Sequence, residues 1–288
     1  MIEYWLVVTD LDGTLLNHHD YSVEAALPRL KQLQQQQIPV ILNTSKTFQE
    51  LRKIVRDLNI PHPFIAENGS VIYVPEHYFM DSIAVAQKSV EAGQLKYHEI
   101  RLGIELDTIQ NFIHQYKPDA VNFIDCALEQ AIEITGLTRA EALAARERHF
   151  SVPLMFADAE QERQFSAQAQ AEGFGTLKGG RFLHVQGAVD KAQALKVLKQ
   201  LFSDNFKTEI GVLVLGDGAN DLTMLEQADI AVVVHSPSSR QIELVRTDAI
   251  YTQQQAPEGW VEGVDRAFEL IQSRYPKQNK IQEQKNGR

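Results

Sequence analysis

Trp5-Leu6-Val7-Val8-Thr9-Asp10-Leu11-Asp12-Gly13-Thr14 decides the fold of this 288-residue chain. Trp5 to Thr9 runs without polar alternation, as a strand does when both faces of a parallel sheet are covered. Two aspartates follow at once, two positions apart, beside a glycine that permits a tight turn. Val40–Leu42 and Val212–Leu215 share this character, and each also ends on polar residues: Asn43-Thr44-Ser45-Lys46 and Gly216-Asp217-Gly218-Ala219-Asn220-Asp221. Helical patterns lie between them. Leu27, Leu30 and Leu33 recur at three-residue spacing, with Pro28 at the helix start and Gln34–Gln37 as its solvated end. Strand, helix, strand predicts a doubly wound α/β domain around a parallel sheet. Phe64–Ala66 and Ile230–Val234 are expected as its fourth and fifth strands. Val261, Val264, Phe268 and Ile271 trace one face of a late helix, and the Lys- and Gln-rich tail after Pro276 is expected to fray.

The middle of the chain changes character. Ile109, Phe112, Ile113 and Tyr116 follow the spacing of an amphipathic helix. Thr138-Arg139-Ala140-Glu141 is a capping box before another helix. Phe174–Gly180 carries glycine at 175, 179 and 180, and Arg181–Val185 reads as a strand. These features predict an α+β module at 84–186, inserted into a core formed by 1–83 and 187–288. No internal repeat interrupts this division.

The formal net charge is −10, with no basic block, so nucleic acid and anionic membranes are not expected partners. The single cysteine, Cys126, forbids an intramolecular disulfide and argues against a secreted scaffold. The apolar run near the N-terminus is short and lacks a basic flank, unlike a signal peptide. No apolar run approaches the ~20 residues that span a bilayer. The expectation is a cytoplasmic protein, monomeric or a weak homo-oligomer, that takes a small anionic substrate. The nine histidines form no His-Glu-x-x-His pair, which disfavours zinc. Absence of Gly-x-Ser-x-Gly disfavours an α/β-hydrolase. Gly216-Asp217-Gly218 lacks the third glycine of a dinucleotide fingerprint, and Asp221 in its place would repel a pyrophosphate.

In an open parallel sheet, ligands bind beyond the carboxyl ends of the strands. Asp10, Asp12, Asp217 and Asp221 gathered there would repel one another without a cation among them. Oxygen donors without Cys or His suit a hard ion, and Mg²⁺ is the usual choice. A carboxylate beside such an ion can attack phosphorus to give an acyl phosphate. A second aspartate is then free to protonate the leaving oxygen and later deprotonate water. Thr44 can donate its hydroxyl to a phosphoryl oxygen. Lys191, after Asp190 and before the helical spacing Ala192, Leu195, Leu198, can hold nucleophile and phosphate together. Either residue alone could be structural or solvated; it is the combined set that points to phosphoryl chemistry.

Asp10-Leu11-Asp12-Gly13-Thr14-Leu15, Thr44, Lys191 and Gly216-Asp217-Gly218-Ala219-Asn220-Asp221 resemble, in order, the four motifs of the haloacid-dehalogenase (HAD) phosphatases. The resemblance implies a HAD-like Rossmannoid core with an inserted α+β cap. It makes Asp10 the nucleophile, Asp12 the acid/base, and Thr44 and Lys191 the phosphoryl ligands. Asp10, Asp217 and the Asp12 carbonyl would surround Mg²⁺, with Asn220 and Asp221 completing the site. The insert is similar to the type-2 cap of sugar-phosphate phosphatases. Thr44-Ser45-Lys46-Thr47, Pro63-Phe64-Ile65-Ala66-Glu67-Asn68-Gly69, Thr135-Gly136-Leu137-Thr138 and Gly179-Gly180-Arg181-Phe182 resemble the mannosyl-3-phosphoglycerate phosphatases within that group. That family releases phosphate and leaves mannosylglycerate.

Such a substrate carries a carboxylate besides its phosphate. Arg181 can take it bidentately, and Gly179 and Gly180 let backbone approach a ligand. Ser45, Lys46 and Lys178 are further candidates, and Glu67 and Asn68 are expected partners of sugar hydroxyls. Two plainer readings stay open: a hairpin turn with Arg181 in solvent, and Asn68-Gly69 as a turn signal. Rival functions are a phosphatase for sucrose phosphate, glucosyl-3-phosphoglycerate or several sugar phosphates, a sugar phosphomutase, and a non-catalytic phosphometabolite-binding regulator. The last needs neither a nucleophile nor a separate acid/base.

Overall fold

The computed structural model describes residues 2–79, 86, 88–92, 95–237 and 242–274. In chain order the first strands are β1 (Ile2–Thr9), β2 (Val40–Leu42), β3 (Phe64–Ala66), β4 (Val71–Pro75), β5 (Lys88–Ala92), β6 (Leu95–Arg101) and β7 (Ala120–Asn122). They are followed by β8 (Ser151–Phe156), β9 (Gly175–Gly179), β10 (Phe182–Gln186), β11 (Glu209–Gly216), β12 (Ile230–His235) and β13 (Ile250–Gln255). The helices are α1 (Leu27–Gln35), α2 (Phe48–Asp57), α3 (Leu106–Tyr116), α4 (Leu128–Thr135) and α5 (Arg139–Arg146). The later ones are α6 (Ala159–Ala171), α7 (Lys191–Phe206), α8 (Leu222–Glu226) and α9 (Glu258–Arg274). The backbone divides into two compact units, 1–43 with 195–288, and 44–194. The expected junction at 83/84 falls among residues 80–85, outside the described residues, and 186/187 falls inside the second unit. The tail beyond Pro276 also lies outside the described residues.

In the first unit, β1 pairs in parallel with β11 on one side and β2 on the other. β12 and β13 extend the sheet in parallel, giving the order β13-β12-β11-β1-β2. Leu6, Val7 and Val8 are fully buried, which explains the unbroken apolar run. Each such side chain contributes about 1.5–3 kcal/mol of burial. β13 was not expected: only Ile250 and Thr252 are buried, while Gln253–Gln255 are exposed on the sheet edge. An edge strand covered by one helix lacks the doubly apolar signature. Trp260 of α9 is fully buried, and its Nε1 donates to Thr9 Oγ1 at 3.1 Å. Thr9 Oγ1 in turn donates to the Asp10 carbonyl at 2.7 Å, fixing the backbone where it leaves the sheet.

The second unit contains two antiparallel four-stranded sheets, β3-β4-β6-β5 and β7-β8-β10-β9. The assignment of Phe64–Ala66 to the parallel sheet is thereby corrected. β3 pairs antiparallel with β4 through Phe64↔Tyr73, Ile65↔Ile72 and Ala66↔Val71. A three-residue apolar run reads the same in either sheet. The turn at Glu67, Asn68 and Gly69, with φ of 47°, 55° and 94°, reverses the chain and selects the hairpin.

In the other sheet, Leu154 of β8 and Leu183 and Val185 of β10 pack on Ile109 and Phe112 of α3 and Phe165 of α6. Side chains alternate across a strand, so Phe182, His184 and Gln186 take the opposite face. Phe182 packs there against Phe123, beside Ala131 of α4 and Ala145 of α5. Both α2 and α5 begin with capping boxes, Thr47 with Glu50 and Thr138 with Glu141.

Candidate active site

Because β1 and β11 run side by side, their carboxyl ends emerge together. Asp10 N donates to the Leu215 carbonyl at 3.0 Å, and Asp217 follows the last residue of β11. Carboxylate oxygens of Asp10, Asp217 and Asp221 lie within 4.8 Å of one another, on residues only 6%, 8% and 0% exposed. The loop after Asp10 is wound tightly, with Leu15 N and Leu16 N both on the Leu11 carbonyl at 3.0 and 2.8 Å. It brings Thr14 Oγ1 to Asp217 Oδ1 at 2.9 Å. A Cβ on Gly13 would stand 2.6 Å from Asp217 Oδ2, so only glycine admits this approach. Asp221 Oδ2 accepts from Asp217 N at 3.1 Å and Gly218 N at 3.0 Å, which fixes the second loop. Asp12 is half-buried and its carboxylate stands outside the trio; Asn220 is half-buried in the turn Ala219–Asp221.

Like charges this close repel by roughly 3 kcal/mol or more per pair at an effective dielectric of ~20. Three buried carboxylates offering only oxygen therefore fit a hard divalent cation, and Mg²⁺ suits that donor set. A carboxylate held beside such a charge has the chemistry of a nucleophile toward phosphorus.

The second unit gathers another set of expected residues. Thr44 is 1% exposed; its N donates to the Ile65 carbonyl at 3.1 Å and its carbonyl accepts from Asn68 N at 2.9 Å. Glu67 N donates to the Lys46 carbonyl at 3.0 Å, so the Thr44–Lys46 loop lies along the 67–69 turn. Lys191 is fully buried and opens α7, where the preceding Asp190 carboxylate accepts from Gln193 N at 2.8 Å. The 67–69 turn abuts this helix start: a Cβ on Gly69 would stand 2.1 Å from the Asp190 carbonyl oxygen.

Other expected site residues have different places. Glu67 is 2% exposed, and its Oε1 accepts from His149 N at 2.9 Å. Its Oε2 accepts from Phe150 N at 3.1 Å and Ser151 Oγ at 2.6 Å, so this carboxylate organises residues 149–151 and faces no open space for a sugar. Asn68 is 1% exposed within the left-handed turn. Ser45 and Lys46 are half-buried, and Lys46 Nζ lies 3.8 Å from Glu50. Lys178 pairs with Leu183 across the strands and so shares its face; its Nζ meets Glu162 of α6. It is directed away from the face that carries His184. Gly180 and Arg181 form the turn between β9 and β10, beginning from Gly179. Arg181 is exposed and its guanidinium donates to the Ile134 carbonyl.

Arg148, Ser151, His184 and Gln186 are buried polar residues of this unit that sequence reasoning did not single out. The alternation Phe182, His184, Gln186 against Leu183, Val185 was the available signal for the last two. Arg148, in Arg146-Glu147-Arg148-His149, reads as solvated charge and offers none.

His184 is held neutral: burial, then the Arg148 and Lys178 cations, push its pKa down to about 3. In the unfolded chain a histidine titrates near ~6.5. Between those values the unfolded state binds the extra proton, so this residue's contribution to stability falls as pH falls from 6.5. Denaturant midpoints measured at pH 7, 5.5 and 4.5 should therefore decline less in His184→Gln than in the parent. His62, pushed down to about 4 by burial, adds to the same loss in both proteins. Identical slopes in the two would show that His184 is not buried in its neutral form.

Residues 7–246 match the family of haloacid dehalogenase-like hydrolases. A glucosyl-3-phosphoglycerate/mannosyl-3-phosphoglycerate phosphatase of Persephonella marina is 33% identical over 270 residues, covering 93% of this chain and 98% of that protein. A protein of the same name from Methanococcoides burtonii is 32% identical over 265 residues, covering 88% and 94%. The crystal structure of Thermoplasma acidophilum 0175 superposes with a TM-score of 0.64 at 17% identity, covering 93% of this chain and 98% of that one. A phosphatase of the haloalkanoate enzyme superfamily from Bacteroides thetaiotaomicron gives 0.61 at 20% identity, covering 94% and 95%. At these identities the two structures speak for the fold.

Proposed function

This chain belongs to the haloacid-dehalogenase-like hydrolases and is a phosphoric monoester hydrolase; we propose that it is Mg²⁺-dependent and takes mannosyl-3-phosphoglycerate as its substrate. The observation that carries the mechanism is the buried trio Asp10, Asp217 and Asp221 at the ends of adjacent parallel strands. Support for the substrate comes from relatives of that name spanning nearly the whole chain.

In the first step an Asp10 oxygen attacks phosphorus and the bond from phosphorus to the ester oxygen breaks. Asp12 gives its proton to that leaving oxygen. The product alcohol departs, and the Asp12 carboxylate then takes a proton from water as the water oxygen attacks the aspartyl phosphate. Asp10 is released with inorganic phosphate. Asp10, Asp217 and Asp221, with Asn220 and the Asp12 carbonyl as further donors, would hold Mg²⁺, which when bound would neutralise charge on the phosphoryl oxygens. Thr44 and Lys191 are assigned to those oxygens as hydrogen-bond donor and cation. Arg181 and Lys46 are the proposed partners of the glycerate carboxylate. Lys178, turned toward Glu162, is the weaker candidate.

The test is phosphate release, with Mg²⁺ and with EDTA, from mannosyl-3-phosphoglycerate, glucosyl-3-phosphoglycerate, sucrose 6-phosphate and simple hexose phosphates. The expected result is a preference of roughly tenfold or more for the phosphoglycerate esters, worth one charge-assisted contact. EDTA should lower turnover by about 100-fold or more. Metal-dependent release favouring another ester would retain the chemistry and overturn the substrate. Undiminished release in EDTA would overturn the metal assignment. The glucosyl ester is the second reading, because the relatives' name includes it.

A further inference from the structure

Arg148 is 5% exposed, and each of its guanidinium nitrogens has a protein acceptor. Nε donates to Ser151 Oγ at 2.9 Å, Nη1 to the Ala145 carbonyl at 3.4 Å and Nη2 to the Ser45 carbonyl at 2.6 Å. Glu67 Oε2 lies 3.7 Å from Nε and, with Oε1, grips the three residues that follow Arg148 in the chain. Thr47 Oγ1 adds a second tie, donating to the Ala144 carbonyl at 2.8 Å. A segment some hundred residues away in sequence thus reaches the loop that carries Thr44.

The Ser45 carbonyl and the Lys46 N–H belong to one peptide plane, and in a trans peptide they point in opposite directions. With the carbonyl drawn to Arg148, the Lys46 N–H is directed at Thr44 Oγ1, 3.4 Å away. The Thr44 hydroxyl accepts there and keeps its own hydrogen for another acceptor. Burying an Arg–Glu pair is costly, and apolar residues of similar volume usually fill such a space at least as well. What they cannot do is set the orientation of a single peptide.

We propose that Arg148, held by Glu67, is a positioning residue that orients the Ser45–Lys46 peptide and through it the Thr44 hydroxyl toward a phosphoryl oxygen. This rests on the reading of Thr44 as a phosphoryl ligand. Arg148 acts on the phosphate end of any substrate, so its removal affects a sugar ester and a simple aryl phosphate alike. Displacement of a catalytic group by about 1 Å can cost ~100-fold.

The experiment uses the full chain with Mg²⁺, p-nitrophenyl phosphate, the preferred sugar ester and orthovanadate as inhibitor. Assays are run well below the melting temperature of each variant. Arg148→Met is expected to lower kcat about 30-fold or more on both substrates, with KM within about threefold. The vanadate Ki should rise in step with the loss of kcat/KM. Arg148→Lys, which keeps charge but not the three-way fork, should recover part of the loss. Glu67→Gln should show a smaller loss of the same pattern. If Arg148→Met does not fold, Arg148→Lys and Glu67→Gln carry the test. Parental kcat and vanadate Ki in the folded variants, beside a Thr44→Ala variant that is strongly impaired, would overturn the proposal. A Thr44→Ala variant with parental turnover and vanadate affinity would instead remove the reading of Thr44, and the proposal with it.

Discussion

Asp10→Asn is expected to lower kcat by about 10³-fold or more while leaving the fold intact, because a carboxamide oxygen does not form the acyl phosphate. The substitution is isosteric, and the backbone contacts that hold position 10, from Asp10 N to Leu215 and from Thr9 Oγ1 to the Asp10 carbonyl, do not involve the side chain. Removing one of three clustered carboxylates also relieves repulsion, so the metal-free variant should melt no lower than the parent and should melt higher if that repulsion is uncompensated. Mg²⁺ stabilises a protein by binding the native state. The rise in melting temperature on adding Mg²⁺ should therefore shrink in the variant together with turnover. Phosphate release and a melting curve with and without Mg²⁺ measure both. Turnover within tenfold of the parent would remove Asp10 from the role of nucleophile.

Gly69→Ala should be the most damaging small substitution in the second unit. Its φ of 94° disfavours any side chain, and the added Cβ would stand 2.1 Å from the Asp190 carbonyl oxygen and 2.9 Å from Lys191 N. Backbone on both sides leaves nothing flexible to yield. Left-handed strain costs about 1–3 kcal/mol and a forced backbone shift adds to it, for a total of about 3–5 kcal/mol. In a protein of this size that is a fall of roughly 10 °C in melting temperature. Gly136→Ala is the control, since φ there is 74° but nothing lies within 4 Å of the added atom. The difference between the two variants measures the close packing of the 67–69 turn on the start of α7. Equal losses would show that the close approach contributes nothing beyond the backbone conformation. Because the clash displaces Lys191, activity should fall further than the unfolded fraction accounts for.

Four of the five strands of the parallel sheet were legible because they are covered on both faces. Trp5–Thr9, Val40–Leu42, Val212–Leu215 and Ile230–Val234 carry the requirement for burial in their own composition, and all four are strands of one sheet. The acidic strand ends were legible for the same reason, since a residue's place at the end of a buried strand follows from the strand itself. The strand ends predict a cluster of Asp10, Asp12, Asp217 and Asp221, and three of these, all but Asp12, have carboxylate oxygens within 4.8 Å of one another. The capping box at Thr138 and the α3 stripe are local codes within a few residues, and each is present in the structure.

What only the tertiary structure decided depends on partners distant in the chain. Phe64–Ala66 has no pattern that chooses between a parallel and an antiparallel neighbour, and the left-handed turn after it made the choice. Glu67 had the chemistry of a sugar ligand, but its oxygens are taken by the backbone and hydroxyl of residues 149–151. Lys178 was turned toward α6 by its strand register with Leu183, and a glycine-rich stretch gave no parity from which to read that face. Arg148 has no local pattern that marks it, and only the fold brings the Ser45 carbonyl against its guanidinium. Burial patterns and caps are written in neighbouring residues, so sequence alone determined four strands of the core sheet and its acidic edge. Whether a polar side chain meets a ligand or its own backbone is settled by which distant groups the fold brings within 3 Å, and no local pattern encodes that.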